Sequence, residues 1–182
     1  MPQAGAQFGS SLATGDFEGD GRSDLAVGAP FEDVGATPAA RAVMVFSGNV
    51  SCSNPAGPDT NQVLTQTAMF GANPGFHLGL TPEKGDNFGC SLSAWNFGRD
   101  EHATKGIPPQ IITFKTADLA IGIPFRKVGT ANEAGAVSVI YGSFFHLGLE
   151  GQGSATTQIW TENSAGMPTS AVVGDHFGLS LY

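Results

Sequence analysis

Basic side chains are scarce in this 182-residue chain, which has eight Lys and Arg against sixteen Asp and Glu and a net charge of −8. No basic stripe is available to neutralise phosphates, which argues against a nucleic-acid partner. No apolar run approaches the length of a membrane span. The start, residues 1–4, has neither the basic residues nor the apolar stretch of a signal peptide. We therefore expect that a targeting segment has been removed or that this is a piece of a longer chain.

Cysteines and catalytic motifs are also scarce. The two cysteines, Cys52 and Cys90, could form one disulfide, but their spacing does not require it. A small buried side chain at Cys90 fits equally well. The chain has no Gly-x-Ser-x-Gly turn, no His-Glu-x-x-His helix and no phosphate-binding glycine loop. Its four histidines share no ligand-like spacing. An activity carried by such motifs would have to lie outside this segment.

Glycine and proline, by contrast, are abundant, with 26 and 11 copies, while charged residues make up only 13% of the chain. Such a chain is rich in turns and short elements, which suits an all-β fold. At 41% hydrophobic residues it is too apolar to be a disordered tail. No segment shows convincing helical periodicity.

Three sequence blocks recur in the same order along the chain, which makes coincidence an unsatisfactory explanation. Internal repetition of this kind is the sequence signature of repeat architectures. The blocks are a Phe-Gly pair at Phe8, Phe88 and Phe177, an Asp-Leu-Ala-x-Gly-x-Pro run at 24–30 and 118–124, and an apolar Ala-Val-x-Val run at 42–48 and 136–142.

Each repeat predicts four short strands, bounded by clusters of Gly, Pro, Asn and Asp. The second strand is almost continuously apolar, so we expect it to be buried on both faces. Tandem four-stranded antiparallel sheets are typical of β-propeller blades. The predicted strands lie near 8–13 and 88–93, 24–29 and 118–123, 42–47 and 136–141, and 62–67 and 157–161, with long surface loops at 51–61 and 101–110.

An acidic loop at residues 16–24 follows the first predicted strand. It has acidic side chains at its positions 1, 3, 5 and 9 and Gly21 at position 6. Closely spaced carboxylates repel one another unless a cation compensates, and Ca²⁺ prefers such hard oxygen ligands. A solvated acidic turn is the alternative. The predicted Ca²⁺ ligands are Asp16, Glu18, Asp20, the backbone carbonyl of Arg22, and Asp24, in a structural rather than catalytic role.

The second repeat has a damaged version of this loop. Fourteen extra residues separate Asp100 from Asp118, and the Asp-Gly turn is lost. Asn96, Asp100 and Asp118 could still meet as a weak second metal site, but we expect no calcium there. The insertion, which contains Pro108-Pro109, is instead predicted to form a surface loop that replaces the ion or contacts a partner.

The recurring blocks and the acidic loop resemble FG-GAP repeats, the units of the integrin α-subunit propeller, in a form close to bacterial, non-integrin members. The resemblance extends over roughly residues 7–182. It implies an extracellular or cell-surface propeller stabilised by calcium, usually of seven blades.

Two blades do not close a ring, so the chain is predicted to be a partial propeller spanning 1–182. Blade one covers about 8–67, blade two about 88–161, and residues 177–182 form the first strand of a third blade. An isolated pair of blades exposes two apolar faces. We therefore expect further blades from the same longer chain, or several chains that join through residues 177–182.

The resemblance also implies a function without catalysis: adhesion, protein binding or assembly. Partners are expected on the face opposite the acidic loops, at residues 31–41 and 125–135. Three alternatives stay open. One is a glycan-binding propeller that uses Trp95, with Trp160 expected in the core between blades. Another is an accessory domain of a secreted hydrolase, for which Asp100, Glu101 and Asp118 offer the only second acidic cluster. The third is a structural subunit of a filament or surface layer.

Overall fold

The computed structural model describes residues 5–32, 41–48, 61–66, 69–71, 78, 80–98, 101–105, 110–143, 147 and 157–182. This part of the chain is all-β, and it includes no helix that could cross a membrane. The strands are β1 (Ser11–Gly15), β2 (Asp24–Ala29), β3 (Ala42–Phe46), β4 (Gln62–Thr65), β5 (Met69–Gly71), β6 (Leu92–Trp95), β7 (Glu101–Lys105), β8 (Gln110–Phe114), β9 (Asp118–Ile123), β10 (Ala136–Ile140) and β11 (Thr157–Trp160).

Blade one is an antiparallel sheet in the order β1-β2-β3-β4-β5. Its first four strands confirm the four strands predicted for the first repeat. The short outer strand β5 was not predicted, since three residues carry too little periodicity to identify. Neighbours in the chain are neighbours in the sheet, which is the commonest arrangement of consecutive strands.

Blade two has the order β11-β10-β9-β6, again antiparallel throughout. The chain leaves this sheet after β6 and forms the separate two-stranded sheet β7-β8 before it returns as β9. The prediction of a surface loop over 101–110 was therefore wrong. The run Ile111-Ile112-Thr113 is β-branched and favours a strand, and it pairs with 102–104 in an antiparallel register.

The two blades pack face to face and share one apolar core. Blade one contributes inward side chains from β2, β3 and β4, and blade two contributes them from β6, β9 and β10. In β9 all six residues are buried, which confirms that this strand is covered on both faces. The core side chains include Ala26, Val43, Val45 and Leu64 from blade one and Phe88, Leu92, Leu119, Ile121 and Ile140 from blade two.

The blades meet closest where the Phe-Gly pair of one lies on a strand glycine of the other. The Ser11 hydroxyl donates to the Gly89 carbonyl oxygen at 2.7 Å. A β-carbon at Gly28 would overlap both of these oxygens. The contact therefore needs a residue without a side chain in the middle of β2.

The same contact recurs one blade further on. The Ser91 hydroxyl donates to the Gly178 carbonyl oxygen, also at 2.7 Å, and a β-carbon at Gly122 would overlap both oxygens. The Phe177-Gly178 pair thus lies on blade two as Phe88-Gly89 lies on blade one. We call this arrangement the Phe-Gly contact.

Residues 177–182 do not form the predicted strand. Phe177 makes only an isolated parallel bridge with Gly135. The equivalent strands β1 and β6 are each held by the second strand of their own blade. No such partner for 177–182 occurs among the described residues, and a strand needs one to satisfy its backbone groups.

Each blade leaves part of its other face uncovered. On blade one, Leu12 and Leu25 are 60% and 38% exposed, and Phe8 is exposed while it packs edge-on against Phe46. The opposite end of the blade pair carries Trp160, which is 37% exposed. The expectation that an isolated pair of blades exposes two apolar faces is therefore confirmed for the described residues.

Gly28→Ala is expected to lower the free energy of unfolding by about 3 kcal/mol, because neither the Ser11 strand nor the Gly89 backbone has room to move away. Gly9→Ala is the matched control. Its backbone is left-handed but its surroundings are open, so it should cost only about 1 kcal/mol. Urea unfolding measures both values. Equal losses would contradict the role given to the Phe-Gly contact.

Candidate functional site

The acidic loop joins β1 to β2 and closes on the side chain of Asp16. One oxygen of this carboxylate accepts the Asp20 amide at 3.1 Å and the other accepts the Gly21 amide at 2.8 Å. Asp20 in turn accepts the Arg22 amide at 2.8 Å. Gly21 has a φ of 85°, which a glycine adopts without strain. The loop is thus shaped by its own carboxylates.

Asp24 lies at the end of this loop and is buried. Its carboxylate accepts the Phe17 amide at 2.8 Å and the Gly48 amide at 2.9 Å. The side chain therefore ties the acidic loop to the turn that follows β3. Hydrogen bonds from backbone amides to a buried carboxylate are among the stronger ones in proteins.

Blade two repeats this arrangement although its acidic loop is lost. The Asp118 carboxylate accepts the Phe97 amide at 2.7 Å and the Gly142 amide at 2.9 Å. Asp118 is buried like Asp24. The same pair of amide-to-carboxylate hydrogen bonds is present in blade two, where the acidic residues no longer have the calcium-type spacing. These hydrogen bonds therefore have a structural role. We call Asp24 and Asp118 the strut aspartates.

Glu18 accepts the Ser47 hydroxyl at 2.6 Å. Beside it lies a cavity of about 10 Å³, lined by Phe17, Glu18, Asp24, Val45, Ser47, Gln62 and Leu147. That volume is at the lower limit for a single water molecule. Glu18 and Asp24 therefore border the same small cavity.

Electrostatic repulsion connects these acidic groups. Burial raises the pKa of Asp24 above its ordinary value of 3.8, the amides of Gly48 and Phe17 act to lower it, and the charges of Glu18 and Asp16 raise it further. A cation near these three carboxylates would relieve the repulsion.

The described residues, which include the whole acidic loop, contain no group of three or more Asp, Glu, His or Cys side chains placed to hold a metal ion. The predicted ligands at 16, 18, 20, 22 and 24 are therefore not gathered around one point. Their oxygens accept backbone amides and the Ser47 hydroxyl instead. As arranged, they do not form a coordination shell, and the calcium site stays a prediction.

Of the weaker second site, Asn96 and Asp118 lie within the described residues. Asn96 accepts the Gly98 amide through its Oδ1 at 2.9 Å, in a local turn. Asp118 is a strut aspartate, and Asp100 lies outside the described residues. Cys52 lies outside them too. Cys90 is a free, partly buried thiol whose pKa is raised by burial.

A polar cleft of about 560 Å³ lies on the side of the second-to-third-strand loops, where partners were expected. Of the predicted segments, 33–40 lie outside the described residues. Phe31, Phe125 and Lys127 line the cleft, but so does the segment 83–87, which precedes β6. The sequence analysis missed that segment as a site, although its Gly-Asp pair recurs as Gly174-Asp175.

A buried charge network forms the floor of the cleft. The Asp86 carboxylate accepts the Arg126 guanidinium at 3.1 Å and the Gln66 amide group at 2.7 Å. Arg41, also buried, donates to the carbonyl oxygens of Pro30 and Glu83. These contacts join both blades, because Arg41 and Gln66 belong to blade one and Arg126 to blade two. They hold the cleft in one shape.

The two tryptophans lie toward the same open face of blade two. Trp95 ends β6 and is 72% exposed. Trp160, expected in the core between blades, occupies the position equivalent to the fully buried Leu64 of blade one. It is partly exposed because residues 177–182 cover only part of this face of blade two.

Replacing a strut aspartate by Asn should destabilise the protein. In Asp118→Asn the new amide group meets one of the two backbone N–H donors, so one hydrogen bond is lost and a donor is left unpaired. We expect a loss of about 2–4 kcal/mol in urea unfolding. Asp20→Asn is the control, since this exposed side chain keeps an oxygen for Arg22. With a chelator present, it should cost under about 0.5 kcal/mol. Similar losses for both would contradict the strut.

Comparison with known families agrees with the recurring blocks and the packing of the blades. Residues 8–43, which run from Phe8 through the acidic loop and β2 into β3, match the model of the FG-GAP repeat. A search of curated proteins returned no match. The chain therefore contains an FG-GAP repeat at residues 8–43.

Proposed function

We propose that this chain is a non-catalytic, calcium-stabilised propeller segment that acts in adhesion, protein binding or assembly outside the cell. FG-GAP repeats are a non-catalytic repeat family that is typical of extracellular proteins. The observation that carries the proposal is the acidic loop within the matched repeat. There, burial and, to a smaller extent, the charges of Glu18 and Asp16 raise the pKa of Asp24, and a bound cation compensates such a group of carboxylates.

The residues that would hold the ion are Asp16, Glu18, Asp20 and Asp24, with the carbonyl oxygen of Arg22. When bound, calcium supplies positive charge and fixed oxygen coordination, not catalysis. The chain itself already positions Asp24 through the amides of Phe17 and Gly48. Glu18 has to exchange the Ser47 hydroxyl for the ion, which makes modest affinity the expectation.

The polar cleft is the proposed partner surface. Its walls combine the aromatic rings of Phe31 and Phe125 with the charged groups of Lys84, Lys127 and Glu133. Aromatic side chains are enriched in protein-binding surfaces, and polar groups form the rim around them. The Asp86–Arg126 pair beneath it is held in place before any partner arrives.

Calcium at about 100 times its dissociation constant should stabilise the fold by about 2.7 kcal/mol. For a domain of this size that raises the melting midpoint by about 5–10 °C. Thermal unfolding with calcium and with a chelator measures the shift. Asp20→Ala should abolish it. Glu133→Ala, which removes an exposed carboxylate on the opposite face, should keep it. A melting midpoint that is indifferent to calcium would overturn the calcium part of the proposal.

Glycan binding is a second candidate, favoured by the exposure of Trp95. A flat exposed indole is a suitable platform for the apolar face of a sugar ring. If this function holds, a glycan array should show binding that Trp95→Ala weakens by about tenfold or more. Phe97→Ala, close by on the same loop, is the control and should bind as before. No binding on the array, or equal loss in both variants, would exclude the Trp95 platform.

A further inference from the structure

The open face of blade two has a groove of about 300 Å³ with almost wholly apolar walls. Val137 and Val139 form its floor, and Phe177 packs beside them. The complete lining is Ser93, Phe97, Ala120, Val137, Val139, Trp160, Phe177, Leu181 and Tyr182. An apolar surface of this kind on a sheet face marks a contact site.

Blade one shows how such a face is covered. Seven of the groove residues have an equivalent residue in blade one or in the Phe-Gly segment that follows blade one. All seven equivalent residues lie in the shared core or pack against it. Blade two fills the space between them with Leu119, Ile121 and Ile140. The counterparts, in the order Ser93, Ala120, Val137, Val139, Trp160, Phe177 and Leu181, are Ala13, Ala26, Val43, Val45, Leu64, Phe88 and Leu92.

The chain also carries a second copy of the filling surface. The residues of blade one equivalent to Leu119, Ile121 and Ile140 are Leu25, Val27 and Phe46. On the open face of blade one, Leu25 and the neighbouring Leu12 are exposed and Phe46 is partly exposed, whereas Val27 is buried beneath this surface. One molecule therefore presents the two halves of the blade-to-blade interface at its opposite ends.

We propose that the open face of blade two binds blade one of a second copy of this chain, head to tail, in the geometry by which blade two packs on blade one. The contact is heterologous, so it propagates from copy to copy or closes into a ring. This inference rests on the proposed role in assembly, but it needs neither calcium nor the polar cleft.

Residues 177–182 occupy part of the site that the second copy needs. Phe177-Gly178 lies where Phe8-Gly9 of the incoming blade belongs, and it uses the Phe-Gly contact through Ser91. On association, Phe8-Gly9 of the second copy therefore displaces Phe177-Gly178 from blade two. Removing residues 177–182 should strengthen association, because it frees the site in advance.

Charge opposes this contact and salt should favour it. Each copy carries a net charge of −8, and the meeting surfaces are apolar. Added salt screens the repulsion between the copies and leaves the apolar contact intact. Association should therefore increase with ionic strength, whereas a contact built on ion pairs would weaken.

The test is sedimentation equilibrium of the full chain and of variants with one damaged face. Leu25→Glu damages blade one and Trp160→Glu damages blade two, since each places a charge in the apolar contact. Each should lower the association constant at least about tenfold. Val173→Glu, exposed and outside the groove, is the control and should associate like the unaltered chain.

Mixing the two damaged variants distinguishes head-to-tail packing from other arrangements. Each variant keeps one intact face, so an equimolar mixture should form a dimer that cannot extend. A mixture that stays monomeric would overturn the proposal. So would an unaltered chain that stays monomeric at high concentration and high salt, which would assign the groove to other blades of a longer chain. Loss of association in Leu25→Glu alone would indicate a symmetric blade-one contact and also overturn it.

Discussion

The fold depends on one contact, in which the Phe-Gly pair of a blade lies directly on a strand glycine of the blade before it. At Gly28 and at Gly122 there is no room for a side chain, and a serine hydroxyl closes the contact from the neighbouring strand. Because the backbones of the two blades approach so closely there, the apolar face of blade one and that of blade two pack against each other in one core. The spacing between blades, the burial of Phe88 and the position of the polar cleft all follow from this approach.

The loops at the far end of each blade are free to vary because the strut aspartates hold the strand ends without them. Asp24 and Asp118 accept equivalent pairs of backbone amides, although one follows an acidic loop and the other follows the hairpin of β7 and β8. Asp24, one of the predicted calcium ligands, thus already stabilises the fold through its hydrogen bonds to backbone amides. Any cation bound at residues 16–24 adds to a loop that Asp16 and Asp24 already shape.

The sequence predicted the main strands well, because each is an apolar run between turn residues and each occurs twice. It failed where the physical cause lies outside the local pattern. The β7-β8 hairpin was taken for a loop because its second strand begins beside Pro108-Pro109. The double hydrogen bonding of Asp24 depends on Gly48, which is distant in the chain, and the Asp86 network joins residues of both blades. Residues 177–182 look like a strand in sequence, but a strand forms only where a partner strand is present.

The most direct test of the account is a disulfide across the two blades. A β-carbon at Gly15 in β1 would lie 3.4 Å from that of Ala94 in β6, close to the separation in a disulfide. A β-carbon at Gly15 would also lie 2.7 Å from that of Ala117, so the background carries Ala117→Gly and lacks Cys52 and Cys90. In this background the pair Gly15→Cys and Ala94→Cys should oxidise within one molecule. The control pair Thr14→Cys and Ala94→Cys, in which the side chain of residue 14 faces the other way, should not. Failure of the first pair to cross-link, or equal cross-linking of both pairs, would contradict the packing of blade two on blade one.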